Sequence, residues 1–134
     1  TRLMTVAAAV LCISLSAQAR DPVPIQTPAA ITLPQGLPTI EVEKAIINAA
    51  LKRQWKVIEK KPGAFILEYA PRGTFSVKVT VSYDTNAIKI SYLDSRNLDF
   101  DPSKEPPLIH PNYNRWVNNL ARDIESSLVV SSVK

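Results

Sequence analysis

The stretch Thr74–Tyr83, Thr-Phe-Ser-Val-Lys-Val-Thr-Val-Ser-Tyr, decides the fold because its apolar and polar residues alternate without interruption. Successive side chains of an extended strand point to opposite faces, so the alternation predicts a strand with one buried face and one solvent-facing face. The stretch is rich in β-branched residues and contains neither Gly nor Pro, which suits a strand interior. The rest of the chain is expected to cover the apolar face, which consists of Phe75, Val77, Val79, Val81 and Tyr83.

Three more strands are predicted around this one, separated by turns of about three residues that favour antiparallel pairing of chain neighbours. They are Trp55–Lys60, Ala64–Ala70 and a fourth strand beginning at Ala87. If the alternation of the fourth strand continues, Asp94 and Arg96 fall on its apolar side. We therefore expect the strand to bend away from the core or to contain a bulge near Asp94.

Two amphipathic helices flank the predicted strands. Residues 40–53 contain no Gly or Pro and repeat apolar residues at helical spacing, with Thr39 as the expected cap. A second helix is expected from Pro111, with His110 as its cap. Its apolar stripe is Tyr113, Trp116, Val117, Leu120, Ile124 and Leu128. The predicted fold class is α+β: a helix, a four-stranded antiparallel meander and a helix, with both helices packed on one face of the sheet.

The N-terminus carries the pattern of an export signal. One Arg precedes the apolar run Val6–Leu15, and Ala17–Ala19 forms an A-x-A site, so residues 1–19 are predicted to be a cleaved secretory signal peptide. Cys12 lies inside the run and raises the alternative of a lipoprotein, but bulky residues rather than small ones precede it. We expect a soluble product that begins near Arg20 and resides in the periplasm or outside the cell, with no membrane span after cleavage.

The remaining chain divides by composition into a tether, a domain and a tail. Residues 20–38 contain five of the eleven prolines and are predicted to be a Pro-rich tether. Residues 39–130 are expected to form the α+β domain, and residues 131–134 a tail. Removing Arg2 with the signal leaves 15 basic against 12 acidic side chains, so nucleic acid is not an expected partner.

The sequence contains no convincing catalytic or metal-binding set. There is one His and no G-x-S-x-G motif, and the three glycines are isolated, which argues against a hydrolase triad and a phosphate cradle. The single Cys allows neither an intramolecular disulfide nor a multi-thiolate metal site. The acidic run from Asp94 to Asp101 lacks the Gly and the terminal Glu of a calcium loop. No cofactor and no metal are expected.

Polar residues at the start of the second helix are the best candidates for binding. Asn114, Arg115 and Asn118 add amides and a cation where solubility alone does not require them, and Asn is a mediocre helix former. The outer face of the sheet, with Lys78 and Lys89 among hydroxyls, suits either an anionic glycan or lipid head group or a plain solvated surface.

The run Tyr113-Asn114-Arg115-Trp116-Val117-Asn118-Asn119-Leu120, preceded by Tyr92, Asp94-Ser95 and Asn97-Leu98, resembles small uncharacterised exported proteins and putative lipoproteins of Gram-negative bacteria. The resemblance covers roughly the fourth strand to the last helix. It implies residence in the periplasm or cell envelope and no specific activity. Cys12 departs from the acceptor pattern of the lipoprotein members.

These observations lead to two functional hypotheses. The first is a non-enzymatic binding or interaction module of the periplasm or cell envelope, whose partner is an envelope protein or an anionic envelope component. It would dock at the start of the second helix or pair with an edge strand. The second is a glycan-binding protein or a hydrolase of cell-wall material that uses Asp94, Arg96, Asp99 and His110.

Overall fold

The computed structural model describes residues 21–132, and their side chains up to Val129. The predicted signal peptide, residues 1–19, lies outside the described residues. The helices are α1 (Thr39–Lys52) and α2 (Pro111–Ser132). The strands are β1 (Val23–Pro24), β2 (Ile31–Thr32), β3 (Lys56–Lys61), β4 (Ala64–Tyr69), β5 (Ser76–Tyr83), β6 (Ala87–Arg96) and β7 (Leu108–Ile109).

The main sheet is antiparallel and has β5 at its centre, as the alternating stretch predicts. Its order is β2-β6-β5-β4-β3, and β1 pairs with β7 in a separate two-stranded ribbon. Val77, Val79 and Val81 are 0% exposed. The inward side chains of the sheet and the apolar stripes of both helices form one hydrophobic cluster. The α+β class with an antiparallel sheet is therefore confirmed.

The sheet has five strands rather than the predicted four, because the Pro-rich segment adds one. Ile31 pairs with Ile88, and the Leu33 N–H donates to the Asn86 carbonyl at 2.8 Å. Ile31 and Leu33 are buried at 5% and 6% exposure, with the exposed Thr32 between them. The short alternation Ile-Thr-Leu thus completes the sheet at the edge of β6. Residues 31–33 of the predicted Pro-rich tether therefore pair with β6 and pack against the domain.

A bulge in β6 decides which way its charged end faces. Val79 pairs with Tyr92 and Lys78 with Asp94, so Leu93 is an extra residue that reverses the alternation. The predicted bulge near Asp94 is confirmed. Its consequence is that Asp94 and Arg96 project from the outer face of the sheet instead of entering the core.

The two helices begin differently. Pro38, not Thr39, is the N-cap of α1 and makes no side-chain cap hydrogen bond, so the predicted Thr39 cap is wrong. His110 caps α2 as predicted, because its Nδ1 accepts from the Asn112 N–H at 3.0 Å. The end of α2 extends past the expected domain boundary at residue 130.

Within residues 21–132, no helix combines the length and the apolarity that crossing a membrane would demand.

Candidate functional site

A cleft of about 310 Å³ opens where the C-terminal end of α1 meets β4 and α2. Its lining combines aromatic rings, cations and amides from three elements that are distant in sequence. The lining residues are Lys52, Arg53, Gln54, Trp55, Tyr69, Trp116 and Asn119.

The end of α1 builds one wall of the cleft through a Schellman motif. The Trp55 N–H donates to the Ala50 carbonyl at 2.9 Å, and the Gln54 N–H donates to the Leu51 carbonyl at 3.1 Å. This motif places Gln54 in the left-handed region, with φ of 68°. Glycine is the usual residue there because a β-carbon is strained in that conformation. The chain therefore retains a strained, polar residue at the rim of the cleft.

Stacked aromatic rings form the floor. The ring centroids of Trp55 and Tyr69 lie 5.2 Å apart in a stacked arrangement, and those of Tyr69 and Trp116 lie 5.0 Å apart edge to face. Phe75 stacks on Trp116 at 5.4 Å. Trp55 is buried, whereas Tyr69 and Trp116 are only partly buried. Such ring pairs fix one another in position, so the floor is rigid and still offers aromatic surface to a ligand.

The cations of the cleft are held by a carboxylate on α2. Arg53 Nε donates to Asp123 Oδ2 at 2.5 Å, and Lys52 Nζ lies 3.9 Å from Asp123 Oδ1. Asp123 is buried, and the hydrogen bond it accepts raises the pKa of Arg53 above its ordinary value. Two cations and one carboxylate leave this wall with a single net positive charge.

The side chains that line the cleft offer several kinds of contact to a ligand. The lining supplies hydrogen-bond donors, a net positive charge and flat apolar surface, while the carboxylate of Asp123 is paired with Lys52 and Arg53. No cluster of three or more potential metal ligands of the His, Cys, Asp and Glu types occurs within the described residues.

The candidates predicted at the start of α2 do not form one surface. Asn114 is buried, with Oδ1 accepting from the Gln26 N–H at 2.9 Å and Nδ2 donating to the Pro24 carbonyl at 3.1 Å. It fastens the Pro-rich segment to α2 and is not available to a partner. Arg115 is exposed and lies outside the cleft, while Asn118 lines a separate groove beside residues 28–31.

Asn114→Ala is expected to lower the free energy of unfolding by about 1–3 kcal/mol, because a buried side chain loses its two hydrogen bonds to the Pro-rich segment. Urea denaturation measures the change. Asn118→Ala is the matched control one turn later: its only side-chain bond among the described residues is a 3.5 Å contact with Gln26, so it should change stability far less. Equal effects of the two variants would contradict the fastening role.

The outer-face candidates share a shallow groove that is separate from the cleft. Asp94 and Arg96 line about 200 Å³ together with Glu68, Ser76, Lys78 and Ser95. His110 instead begins the helix on the opposite face of the sheet, with Nδ1 already accepting from the backbone. Asp99 is exposed in the loop after β6. The structure does not bring together the acid, base and cation that the hydrolase hypothesis requires.

Sequence reasoning missed the cleft although its residues were visible. The helical stripe predicts Trp116 in the core and the strand pattern begins at Trp55; both side chains pack in or against the core and also line the cleft. The available signal was the run Lys52-Arg53-Gln54-Trp55, in which a helix ends without the Gly that usually follows it.

Comparison with known proteins adds no relative: no family model, no curated protein and no solved structure matches this chain.

Proposed function

We propose that the protein is a non-enzymatic binding module of the periplasm or cell envelope, and that it holds its ligand in the cleft at the end of α1. The observation that carries the proposal is that three aromatic rings, two cations and two side-chain amides line one concave space. Its volume of about 310 Å³ falls in the range of small-molecule sites, roughly 300–1,000 Å³.

The strain at Gln54 supports a binding role. Residues held in the left-handed region cost stability, and they concentrate at ligand sites where the surrounding structure fixes them. Gln54 has a φ of 68° at the rim of the cleft, next to Arg53 and Trp55, in a position that glycine would occupy without strain. The Gln54 side chain places an amide at the rim of the cleft, where it can donate and accept hydrogen bonds from a ligand.

The envelope assignment rests on the sequence pattern of residues 1–19 and on the resemblance to exported Gram-negative proteins. We infer a soluble product rather than a lipid-anchored one, because bulky residues precede Cys12 and the A-x-A site at Ala17–Ala19 offers an ordinary cleavage point.

Among possible ligands, the residues that line the cleft favour a glycan. The partly exposed rings of Tyr69 and Trp116 offer flat apolar surface to the C–H face of a sugar ring, and the amides of Gln54 and Asn119 offer donors and acceptors to hydroxyl groups. Hydrolysis is less well supported, since glycosidases need two carboxyl groups flanking the bond and the lining residues include none.

Pairing of a partner with the edge of the sheet is less well supported too. The edge strand β3 carries Lys56, Lys60 and Lys61 and a register shift between Val57 and Glu59. Lysines and bulges on an edge strand disfavour pairing with another strand.

The test is a calorimetric titration of the secreted protein with soluble envelope fractions, followed in parallel by tryptophan emission. Both tryptophans of the chain line the cleft, so emission reports occupancy there, whereas heat reports binding anywhere. We expect at least one fraction to change both signals saturably, and Asn119→Ala in the cleft to weaken that binding while Arg96→Ala on the outer face does not.

Two outcomes would overturn the proposed site. Heat without an emission change, lost in Arg96→Ala, would move binding to the outer face of the sheet. Silence of both signals across peptidoglycan fragments, envelope oligosaccharides and periplasmic small molecules would remove the binding function itself.

A further inference from the structure

Resting on the proposed function, we propose that the cleft recognises a free carboxylate of its ligand through the outer edge of the Arg53 guanidinium. The group that contributes most to this inference is the Arg53 side chain, which is 45% exposed and projects into the cleft.

The hydrogen bond to Asp123 orients the Arg53 guanidinium but leaves its other N–H groups free to bind a ligand. Among residues 21–129, whose side chains the structure describes, the only hydrogen bond of the guanidinium is from Nε to Asp123, so Nη1 and Nη2 have no hydrogen-bond partner there. A carboxylate accepts two parallel N–H bonds from such a planar fork, a geometry that the compact ammonium group of lysine does not offer. Asp123, buried on α2, fixes the plane of the guanidinium and so acts as a positioning residue.

The charge of the wall selects a monoanion. Lys52 and Arg53 together with Asp123 leave one net positive charge, which a single carboxylate neutralises and a phosphate dianion would exceed. Gln54 and Asn119 line the same space and can hydrogen-bond the neutral remainder of the ligand, while the rings of Tyr69 and Trp116 pack against its apolar part.

Two matched pairs of probes distinguish a sugar acid from a peptide terminus as the source of the carboxylate. N-acetylmuramic acid differs from its methyl ester by the charge of the lactyl carboxylate, and N-acetyl-alanyl-alanine differs from its amide by the terminal charge. We expect the charged member of one pair to bind at least about tenfold tighter than the neutral member, as charge-assisted bidentate pairs are strong. Tryptophan emission and calorimetry measure both dissociation constants.

Variants separate orientation from net charge. Arg53→Lys keeps the charge but loses the fork, and should abolish most of the preference for the charged probe. Asp123→Asn makes the wall more positive but loosens Arg53, so weaker binding supports positioning and tighter binding contradicts it. Arg96→Gln removes one positive charge from the outer face and should leave both dissociation constants unchanged. Circular dichroism of each variant checks that the fold is retained.

The inference and the proposed function fail in different ways. If an envelope fraction binds the cleft but charged and neutral probes bind equally, or neither probe pair binds, the carboxylate inference is wrong and the binding function stands. Tighter binding of inorganic phosphate than of either carboxylate probe also overturns it. If neither the fractions nor the probes produce heat or an emission change, both proposals fall.

Discussion

Ile31→Ala and Leu33→Ala are each expected to lower the free energy of unfolding by about 2–5 kcal/mol, as large-to-small changes do in a packed core. Both residues are buried, at 5% and 6% exposure, and the strand that carries Ile31 completes the sheet at the edge of β6. Urea denaturation with linear extrapolation measures the loss. The two positions are close enough to share neighbours, so the double variant need not equal the sum of the single ones.

Thr32→Ala is the internal control for this prediction. Thr32 lies between the two buried residues, faces solvent and should shift stability by no more than about 0.5 kcal/mol. A tether would give the opposite picture, with all three substitutions equally harmless. That result would mean that the domain begins at α1, where composition alone places its boundary.

Residues 31–33 show how long an alternating pattern must be before it predicts a strand from sequence alone. The long alternation in Thr74–Tyr83 identifies a central strand because every residue agrees with the period of two. In the Pro-rich segment the same alternation lasts only from Ile31 to Leu33, and the surrounding prolines outweigh it. Two residues suffice for a strand only when an existing edge, here that of β6, supplies the hydrogen-bond partners.

The bulge and the cleft illustrate the same limit at the level of sites. Charges on the wrong side of a predicted strand indicate an irregularity, and the extra residue Leu93 is that irregularity. The cleft has no such local signature. It depends on Arg53 at a helix end, Tyr69 on a strand and Trp116 on the other helix, which only tertiary packing brings together. The sequence also does not reveal that Asn114 is buried, because its hydrogen-bond partners, Pro24 and Gln26, lie 90 and 88 residues away along the chain.

Alkaline solution is expected to destabilise the fold through Tyr83. Burial, followed by the hydrogen bond to Glu43, raises the pKa of Tyr83 from 10.0 to about 12. A group whose pKa is higher in the folded state binds its proton more tightly there, so its stabilisation is complete below pH 10 and is lost as the pH rises towards 12. At 1.36 kcal/mol for each pKa unit, the loss is about 2–3 kcal/mol.

Tyr83→Phe isolates this contribution from the other groups that titrate in the same range. The variant lacks the phenolic proton, so the difference in unfolding free energy between it and the wild type should be constant below pH 10 and shrink from pH 10 to pH 12. Tyr113, whose pKa burial also raises, is retained in both proteins and cancels in the comparison. A difference that stays constant over this range would show that Tyr83 keeps its ordinary pKa.

The hydrogen bond between Tyr83 and Glu43 also makes the stability of the fold depend on pH in acid solution. The Tyr83 hydroxyl donates to Glu43 Oε2 at 2.6 Å, and this bond is the main cause that lowers the pKa of Glu43 below its ordinary 4.5. The stabilisation from Glu43 is therefore present above pH 4.5 and is lost as the pH falls below that value. Because Tyr83→Phe removes the donor, it should weaken the acid dependence as well as the alkaline one. If the single variant loses the alkaline dependence of stability and also weakens the acid dependence, the hydrogen bond between α1 and β5 is their common origin. If only the alkaline dependence is lost, burial without Glu43 raises the pKa of Tyr83.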